Sequence, residues 1–204
     1  AAFSAGAEEP PAGPQVTDVA LELLGSNIHY PQLTGLADEK LQAAINDAIM
    51  QQGMIETRIN RAARLMTAKV KLQVSYSFTL AGPVFSCAIL ADGAVVNTRP
   101  TQEWCTVNLD LTTGESIPFS ALFTDEGAAR TQIAALLEEE VAPEMSTHLP
   151  AGDLLPLPEC FSLSPQGLTL HYPYQQFRTL SGRAGTVTFL WTELRDMLNL
   201  DEDS

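Results

Sequence analysis

The tripeptide His-Tyr-Pro occurs twice in this chain, at residues 29–31 and 171–173, each time where an alternating segment ends. An imidazole changes charge near neutral pH, and a tyrosine ring has an apolar face with a polar edge. His29 and Tyr30, together with the second copy of the motif, could therefore line one rim and stack against a sugar or a peptide. The simpler interpretation is that each Tyr-Pro ends a strand with a half-buried aromatic residue, and the sequence leaves both open.

A second candidate site is the long loop of residues 172–185, which concentrates aromatic, amide and guanidinium groups in an acidic chain. Loops held on a rigid sheet often carry binding groups. The side chains that we expect to contact a ligand there are Tyr172, Tyr174, Gln175, Phe177, Arg178 and Arg183. The alternative is that this loop packs against its own domain.

The three cysteines do not form the even set that a disulfide framework requires. Cys87 and Cys105 lie on two extended segments with a turn-rich stretch between them, so their sulfurs could face each other across a hairpin. A disulfide between these two is therefore one alternative, although cross-strand geometry is demanding. Cys160 is predicted to be a small buried apolar residue.

Motifs of catalysis are missing from the sequence. It contains no G-x-S-x-G nucleophile elbow, no HExxH and no P-loop. The acidic run 138–140 lies on a predicted helix and indicates a solvated face, with a weak calcium site as the alternative. Asp92, Glu103 and Asp110 would have to converge from separate elements to do glycosidase chemistry. We therefore predict a non-enzymatic protein with no catalytic residue, no metal and no cofactor.

Acidic residues outnumber basic ones by 25 to 11, which gives a formal net charge of −14. A field of this sign repels phosphate backbones and anionic lipids, so nucleic acid is not expected as a partner. No apolar run is long enough to cross a bilayer, so we predict no direct membrane insertion. The same charge favours a basic protein or cations as partners.

The composition divides the chain into three parts. Residues 1–15 are small, proline-rich and acidic, as in a solvated linker, and we expect a removed signal peptide, lipid anchor or membrane helix before them. Residues 16–200 are predicted to form one domain, with a division into lobes 16–66 and 67–200 as the alternative. Residues 201–204 are an acidic tail.

Apolar periodicity predicts the order of the elements. The expected elements are a strand over 19–30, a helix from Asp38 through Gly53 to Met66, strands over 67–80, 84–91 and 103–111, a helix from Thr124 to Pro143, a hairpin around 164–167, a strand over 186–191 and a helix over 192–198. This order predicts an α+β fold. We expect an antiparallel sheet, made of a meander and C-terminal hairpin strands, with two main helices packed on it and a short C-terminal helix.

Three segments carry a resemblance to a known family. They are YPQLTG at 30–35 with the following Ile45-Asn46, NLDLTTGE at 108–115 running into FSALF at 119–123, and FSL at 161–163 with Gly167-Leu168, Pro173-Tyr174, Gly182 and Glu193-Leu194. On these segments the chain resembles the extracytoplasmic domain of lysozyme-sensing anti-sigma factors, which also precedes the catalytic domain of certain peptidoglycan deacetylases. The resemblance spans nearly all of residues 16–200, but residues 92–95 lack the histidine that many members carry before the Asn-Leu-Asp strand.

The resemblance implies a binding or sensing domain outside the cytoplasm, secreted or anchored at the cell envelope of a Gram-positive-like bacterium. The expected ligand is a basic protein such as lysozyme, or a cell-wall glycan. Two alternatives remain open at this point. One is a peptidoglycan-modifying enzyme or its accessory domain, and the other is a purely structural module of the envelope.

Overall fold

The structure is a computed structural model that describes residues 13–64, 70–95, 101–144, 156–173 and 185–199. The strands of these residues are β1 (Gln15–Leu23), β2 (Ser26–Thr34), β3 (Val70–Ala81), β4 (Val84–Val95), β5 (Thr101–Asp110), β6 (Phe161–Leu163), β7 (Gly167–Tyr172) and β8 (Gly185–Leu190). The helices are α1 (Glu39–Gln52), α2 (Ile55–Arg64), α3 (Glu126–Glu144) and α4 (Trp191–Leu194), with 3-10 turns at Phe119–Leu122 and Arg195–Met197.

The strands form two sheets, one of five strands in the order β1-β2-β3-β4-β5 and one of three in the order β6-β7-β8. All neighbours are antiparallel except β2 and β3, which run parallel over a short register. This confirms the predicted α+β class, the meander and the short C-terminal helix. The parallel pair was not predicted, and it arises because α1 and α2 carry the chain across one face of the sheet before β3 begins.

Two local breaks also differ from the prediction. The first predicted strand is a hairpin, because Leu24 and Gly25 form a two-residue turn with φ values of 46° and 88°. Positive φ at both positions is the geometry that joins antiparallel strands with a tight turn. The first predicted helix stops at Gly53, and Met54, with φ of 54°, turns the chain into α2.

Aspartates cap the starts of α1 and α3. Asp38 caps α1 as predicted, since its side chain accepts from the main-chain nitrogens of Lys40 and Leu41. The cap of α3 is Asp125 rather than the predicted Thr124, because Asp125 Oδ1 lies 3.0 Å from the nitrogen of Ala128.

The first hydrophobic core lies between the five-stranded sheet and the helices α1 and α2. Its fully buried members include Ile28, Leu33, Ile45, Ile49, Ile55, Phe85, Ile89 and Leu109. Asn46 ties α1 to the sheet, since its amide bonds both the nitrogen and the oxygen of Leu33, at 2.7 and 3.0 Å. Arg58 of α2 is only 3% exposed, and its guanidinium bonds Glu103 at 3.2 Å and the Cys105 sulfur at 3.3 Å.

The second core lies between the three-stranded sheet and α3, with the 3-10 turns at its edges. Its buried members include Phe119, Phe123, Ile133, Leu137, Leu168, Leu170, Tyr172 and Phe189. The buried residues of the first core end at Leu111, and those of the second core begin at Phe119. The predicted lobe boundary near residue 66 does not separate them, because β3, β4 and β5 continue the sheet that β1 and β2 begin.

The NLDLTTGE segment at residues 108–115, one of the three that carry the family resemblance, forms a tight turn after β5. Asp110 Oδ1 accepts from the nitrogen of Thr112 at 2.7 Å, and Gly114 has φ of 77°. The hydrogen bonds from Thr112 lower the pKa of Asp110, since they stabilise its charged form. The residues of this motif therefore have a structural role in the turn.

The proposed disulfide is absent: all three cysteines lie within the described residues and are free thiols. Cys87 lies opposite Val107 and Cys105 opposite Ile89, so the two cysteines are offset by two positions along the paired strands. Offset positions do not bring the two sulfurs together as a directly opposed pair would. Among the described helices, none has both the length and the apolar composition needed to span a bilayer.

Candidate functional site

The two sheets meet where β6 lies on the outer face of the five-stranded sheet. The main-chain groups of Phe161 and Leu163 in β6 form hydrogen bonds with side chains of the five-stranded sheet. Asn108 Nδ2 donates to the oxygen of Phe161 at 2.9 Å, and the nitrogen of Phe161 donates to Thr106 Oγ1 at 3.2 Å. At the other end of β6, Ser86 Oγ accepts from the nitrogen of Leu163 at 2.7 Å, and Thr79 Oγ1 donates to the oxygen of the same residue. We call these four side chains (Thr79, Ser86, Thr106 and Asn108) the seam.

The seam satisfies an edge strand that would otherwise bury unpaired main-chain groups. Its own polar atoms are also paired, because Ser86 Oγ donates to Asn108 Oδ1 at 2.6 Å. The seam residues lie on β3, β4 and β5, on the face of the sheet opposite the one that supplies the first core. The seam therefore fixes how far the two sheets stand apart, and it leaves a cleft beside β6.

The cleft contains a cavity of about 310 Å³ whose walls carry many hydroxyl groups. The hydroxyl residues on these walls include Ser77, Thr79, Ser86, Ser162, Thr169 and Thr186. They come from β3, β4, β6, β7 and β8, so both sheets contribute. None of the described lining residues is an aspartate, a glutamate, a lysine or an arginine.

His171 lies at the back of this cleft and is 4% exposed. Alternation along β7 turns Leu170 and Tyr172 into the second core and turns Thr169 and His171 to the opposite side. The Nε2 atom of His171 lies 2.8 Å from the Ser162 hydroxyl. Burial lowers the pKa of His171 to about 4, so its imidazole is neutral at pH 7.

Trp104 of β5 packs against His171, with ring centroids 4.6 Å apart and ring planes at 58°. Both residues also line a second cavity of about 490 Å³, whose walls include Arg130, Cys160 and three prolines. The Trp104 and His171 rings therefore form the wall between the two cavities. Two nitrogens of this wall, Trp104 Nε1 and His171 Nδ1, are buried and have no hydrogen-bond partner among the residues that the structure describes.

The Ser162–His171 pair resembles part of a nucleophilic site but lacks its third member. In a Ser–His–Asp triad, a carboxylate bonds Nδ1 and orients the ring. Here Nδ1 has no partner. The carboxylates considered for glycosidase chemistry are held apart by other contacts: Asp92 bonds Gln102 at 3.1 Å, Glu103 bonds Arg58, and Asp110 caps its turn.

The structure does not assemble the predicted rim of the two His-Tyr-Pro motifs. His29 lies on β2 and bonds Asp18 at 2.9 Å, and Tyr30 is half-buried against the first core. Tyr172 is 0% exposed in the second core, so it does not present its ring to a ligand as predicted. Burial raises the pKa of Tyr172 to about 12.

Five other predicted contact residues, Tyr174, Gln175, Phe177, Arg178 and Arg183, lie outside the described residues. The predicted residues that the structure describes, Tyr172, His29 and Tyr30, do not line the cleft, but Tyr172 adjoins His171, which does. Sequence analysis named the histidine of the second motif but missed Trp104, Ser162 and the seam. The signal that could have found them is the polar alternation of β5 and β6, but it becomes specific only once the sheets are stacked.

Groups of three or more His, Cys, Asp or Glu side chains placed to hold a metal ion do not occur in the described parts of the chain. The cleft itself supplies neutral hydroxyls, an indole and an uncharged imidazole. Chemically, this set can donate and accept many hydrogen bonds and offer an aromatic face. It fits an uncharged polar ligand better than an ion.

The fold is shared with two solved structures of the DUF3298 family, a domain of unknown function. One, from Bacteroides fragilis, matches with a TM-score of 0.59 and 13% identity over 92% of this chain and 93% of that chain. The other, from Pseudomonas aeruginosa, has a TM-score of 0.63 and 9% identity over 93% of this chain and 95% of that chain. No protein-family model matches the sequence, and no curated protein does. At these identities the likeness shows the fold alone.

Proposed function

We propose that this chain is a non-enzymatic binding domain of the bacterial cell envelope that lies outside the cytoplasm and holds a cell-wall glycan between its two sheets. The observation that carries the proposal is the hydroxyl-lined cleft with Trp104 in its wall. Sugar hydroxyls exchange hydrogen bonds with serine and threonine hydroxyls, and the apolar face of a sugar ring packs on an indole. A glycan satisfies both chemistries at once.

The charge of the lining and the volume of the cavity restrict the kind of ligand that fits. The described lining residues carry no charged side chain that could pair with a buried ionic group, so they favour a neutral sugar. A volume of about 310 Å³ lies at the lower end of the range for ligand pockets, about 300–1,000 Å³. We therefore expect the cleft to take one sugar residue of a longer chain. The location outside the cytoplasm and membership of the DUF3298 family rest on the sequence resemblance together with the shared fold.

A second candidate partner is a basic protein such as lysozyme. The observation in its favour is the formal net charge of −14, which attracts a cationic protein over long range and accelerates encounter. This mode needs no cleft, because it depends on the summed field of the surface. It predicts binding that weakens steeply with salt.

The glycan proposal is tested by co-sedimentation of the chain with purified insoluble peptidoglycan. Ser77→Ala combined with Thr186→Val removes two hydroxyls from the cleft, and we expect the bound fraction to fall several-fold. Ser75→Ala is the matched control, because Ser75 is an exposed residue on the same face of β3 but does not line the cavity. Equal loss in both variants, or no sedimentation of the unmodified chain, would contradict the proposal.

The second candidate is tested by calorimetric titration with hen lysozyme at low and at moderate salt. Heat of binding that disappears at moderate salt and is unaffected by the cleft variants supports recognition by charge. Absence of heat at both salt concentrations removes lysozyme as a ligand.

A further inference from the structure

The wall between the two cavities holds two ring nitrogens, Trp104 Nε1 and His171 Nδ1, that find no hydrogen-bond partner in the described part of the chain. A buried polar atom that lacks a hydrogen bond destabilises the fold by about 1–3 kcal/mol, so native proteins rarely leave two side by side. Other buried polar atoms near the cleft are paired, including Ser86 Oγ and Asn108 Nδ2. Among the described residues that line the first cavity, the side-chain nitrogens buried without a partner belong to the two rings that contact each other.

Both nitrogens can donate. An indole nitrogen is a donor only, and it has no lone pair to accept with. The imidazole is neutral, so it carries one hydrogen on either nitrogen. When the Ser162 hydroxyl, 2.8 Å away, donates to Nε2, the hydrogen is on Nδ1 and this nitrogen becomes the second donor.

Two donors on adjoining rings suit one acceptor with two lone pairs. An amide carbonyl oxygen has these lone pairs and needs no counter-ion. A carboxylate has them too, but the described lining of the first cavity offers it no cation. The nearest cation in the second cavity, Arg130, already bonds Glu126 at 2.9 Å and lies over the Phe119 ring.

We propose that the cleft selects N-acetylated sugars, with the acetamido oxygen bonded by Trp104 Nε1 and His171 Nδ1 and the sugar hydroxyls bonded by the serines and threonines. The inference rests on the proposed glycan function and names the sugar class. Because both donors are already screened from water by folding, the new bonds replace no bonds to solvent.

The test compares two neutral β-1,4-linked trisaccharides that differ in the acetamido group. N,N′,N″-Triacetylchitotriose, called chitotriose below, carries the group on every sugar, and cellotriose carries a hydroxyl in its place. Each is titrated into the ¹⁵N-labelled chain, and the indole N–H signals are followed by NMR. The chain has two tryptophans, so the spectrum contains two such signals. Trp191 serves as the internal reference, because its Nε1 already donates to the oxygen of Ser164 at 2.7 Å.

We expect chitotriose to bind more tightly than cellotriose and to move the Trp104 indole signal while that of Trp191 stays in place. Equal affinity for both sugars, without a shift of the Trp104 signal, overturns the acetamido inference and leaves glycan binding intact. If neither sugar binds, the acetamido inference fails and the glycan function is contradicted as well.

A variant isolates the indole donor. Trp104→Phe keeps an aromatic ring but removes the N–H, and we expect about a fivefold loss of chitotriose affinity, about 1 kcal/mol, with little change for cellotriose. Trp191→Phe removes an indole N–H that has an internal acceptor, and it assigns the two NMR signals. Equal losses of affinity for both sugars in Trp104→Phe would contradict a direct bond to the acetamido group.

Discussion

The side-chain amide of Asn108 donates to the main-chain oxygen of Phe161 across 2.9 Å and so joins the last strand of one sheet to the first strand of the other. The two residues are 53 positions apart in the chain. The bond is buried, and Asn108 also accepts from Ser86. Its removal therefore leaves two polar groups unsatisfied.

We expect Asn108→Ala to lower the free energy of unfolding by about 2–3 kcal/mol, since a buried partner is lost on both sides. Asn27→Ala is the matched control, because the Asn27 amide bonds Gln73 at 3.3 Å on the exposed surface. The control should change stability by less than about 0.5 kcal/mol. Urea denaturation followed by circular dichroism measures both, and similar values for the two variants would refute the role of the seam.

Acid should destabilise the protein through His171. Burial lowers the folded-state pKa of His171 to about 4, whereas an exposed histidine has a pKa of about 6.5. Between these values the unfolded chain binds the proton more readily, so the contribution is complete above about pH 6.5 and is lost as pH falls toward 4. The full difference corresponds to about 3 kcal/mol as an upper value.

The measurement is the free energy of unfolding at several pH values between 7 and 4 for the unmodified chain and for His171→Gln. The variant should lose part of the pH dependence in this window, while His29→Gln, at an exposed histidine bonded to Asp18, should retain it. Identical pH profiles for His171→Gln and the unmodified chain would show that His171 does not titrate differently on folding.

Two glycines should respond to alanine with opposite signs. A Cβ added at Gly167 would lie 2.0 Å from the main-chain oxygen of Phe189, so β7 and β8 must move apart. We expect Gly167→Ala to destabilise the protein by about 2 kcal/mol or more. Gly127 in the first turn of α3 has no such contact, and Gly127→Ala should stabilise by about 0.5–1 kcal/mol. Thermal unfolding of both variants checks the signs, and a stable Gly167→Ala protein would contradict the close approach of the strands.

Cys87 should resist alkylation in the folded state. It is 0% exposed, and burial raises the pKa of its thiol to about 12, so almost no thiolate is present at pH 8. Iodoacetamide followed by peptide mass spectrometry should modify Cys87 only after denaturant is added. All three cysteines should then be alkylated without prior reduction, and recovery of a disulfide-linked peptide pair would disagree with the free thiols.

The fold class could be predicted because alternation with period two is a local property of β3, β4 and β5. The hairpin at Leu24 and Gly25 was missed although Gly25, Ser26 and Asn27 are turn-type residues, because leucine rarely adopts the positive φ that this turn requires. The parallel contact of β2 with β3 depends on a crossover connection made of two helices. No short stretch of sequence indicates which strands such a connection will pair. Local patterns thus specify elements, whereas their pairing depends on long-range burial.

The candidate site was harder to predict from the sequence than the fold. His171, Ser162 and Trp104 sit on three strands of two sheets, and each shows only the polar or aromatic alternation of an ordinary strand. They become a site when the seam sets the spacing of the sheets. The second His-Tyr-Pro motif pointed at residue 171 for a different reason, namely its aromatic neighbour, which the structure buries.

Each of the two sheets supplies one wall of the cleft, so a ligand that fills it contacts both halves of the molecule. Without it, the sheets are joined by the seam and by contacts such as that of Trp104 with His171, and we expect the two halves to unfold in separate steps. With the ligand bound, the two halves would unfold in one cooperative transition. The sharpness of a calorimetric transition would then report occupancy without any label.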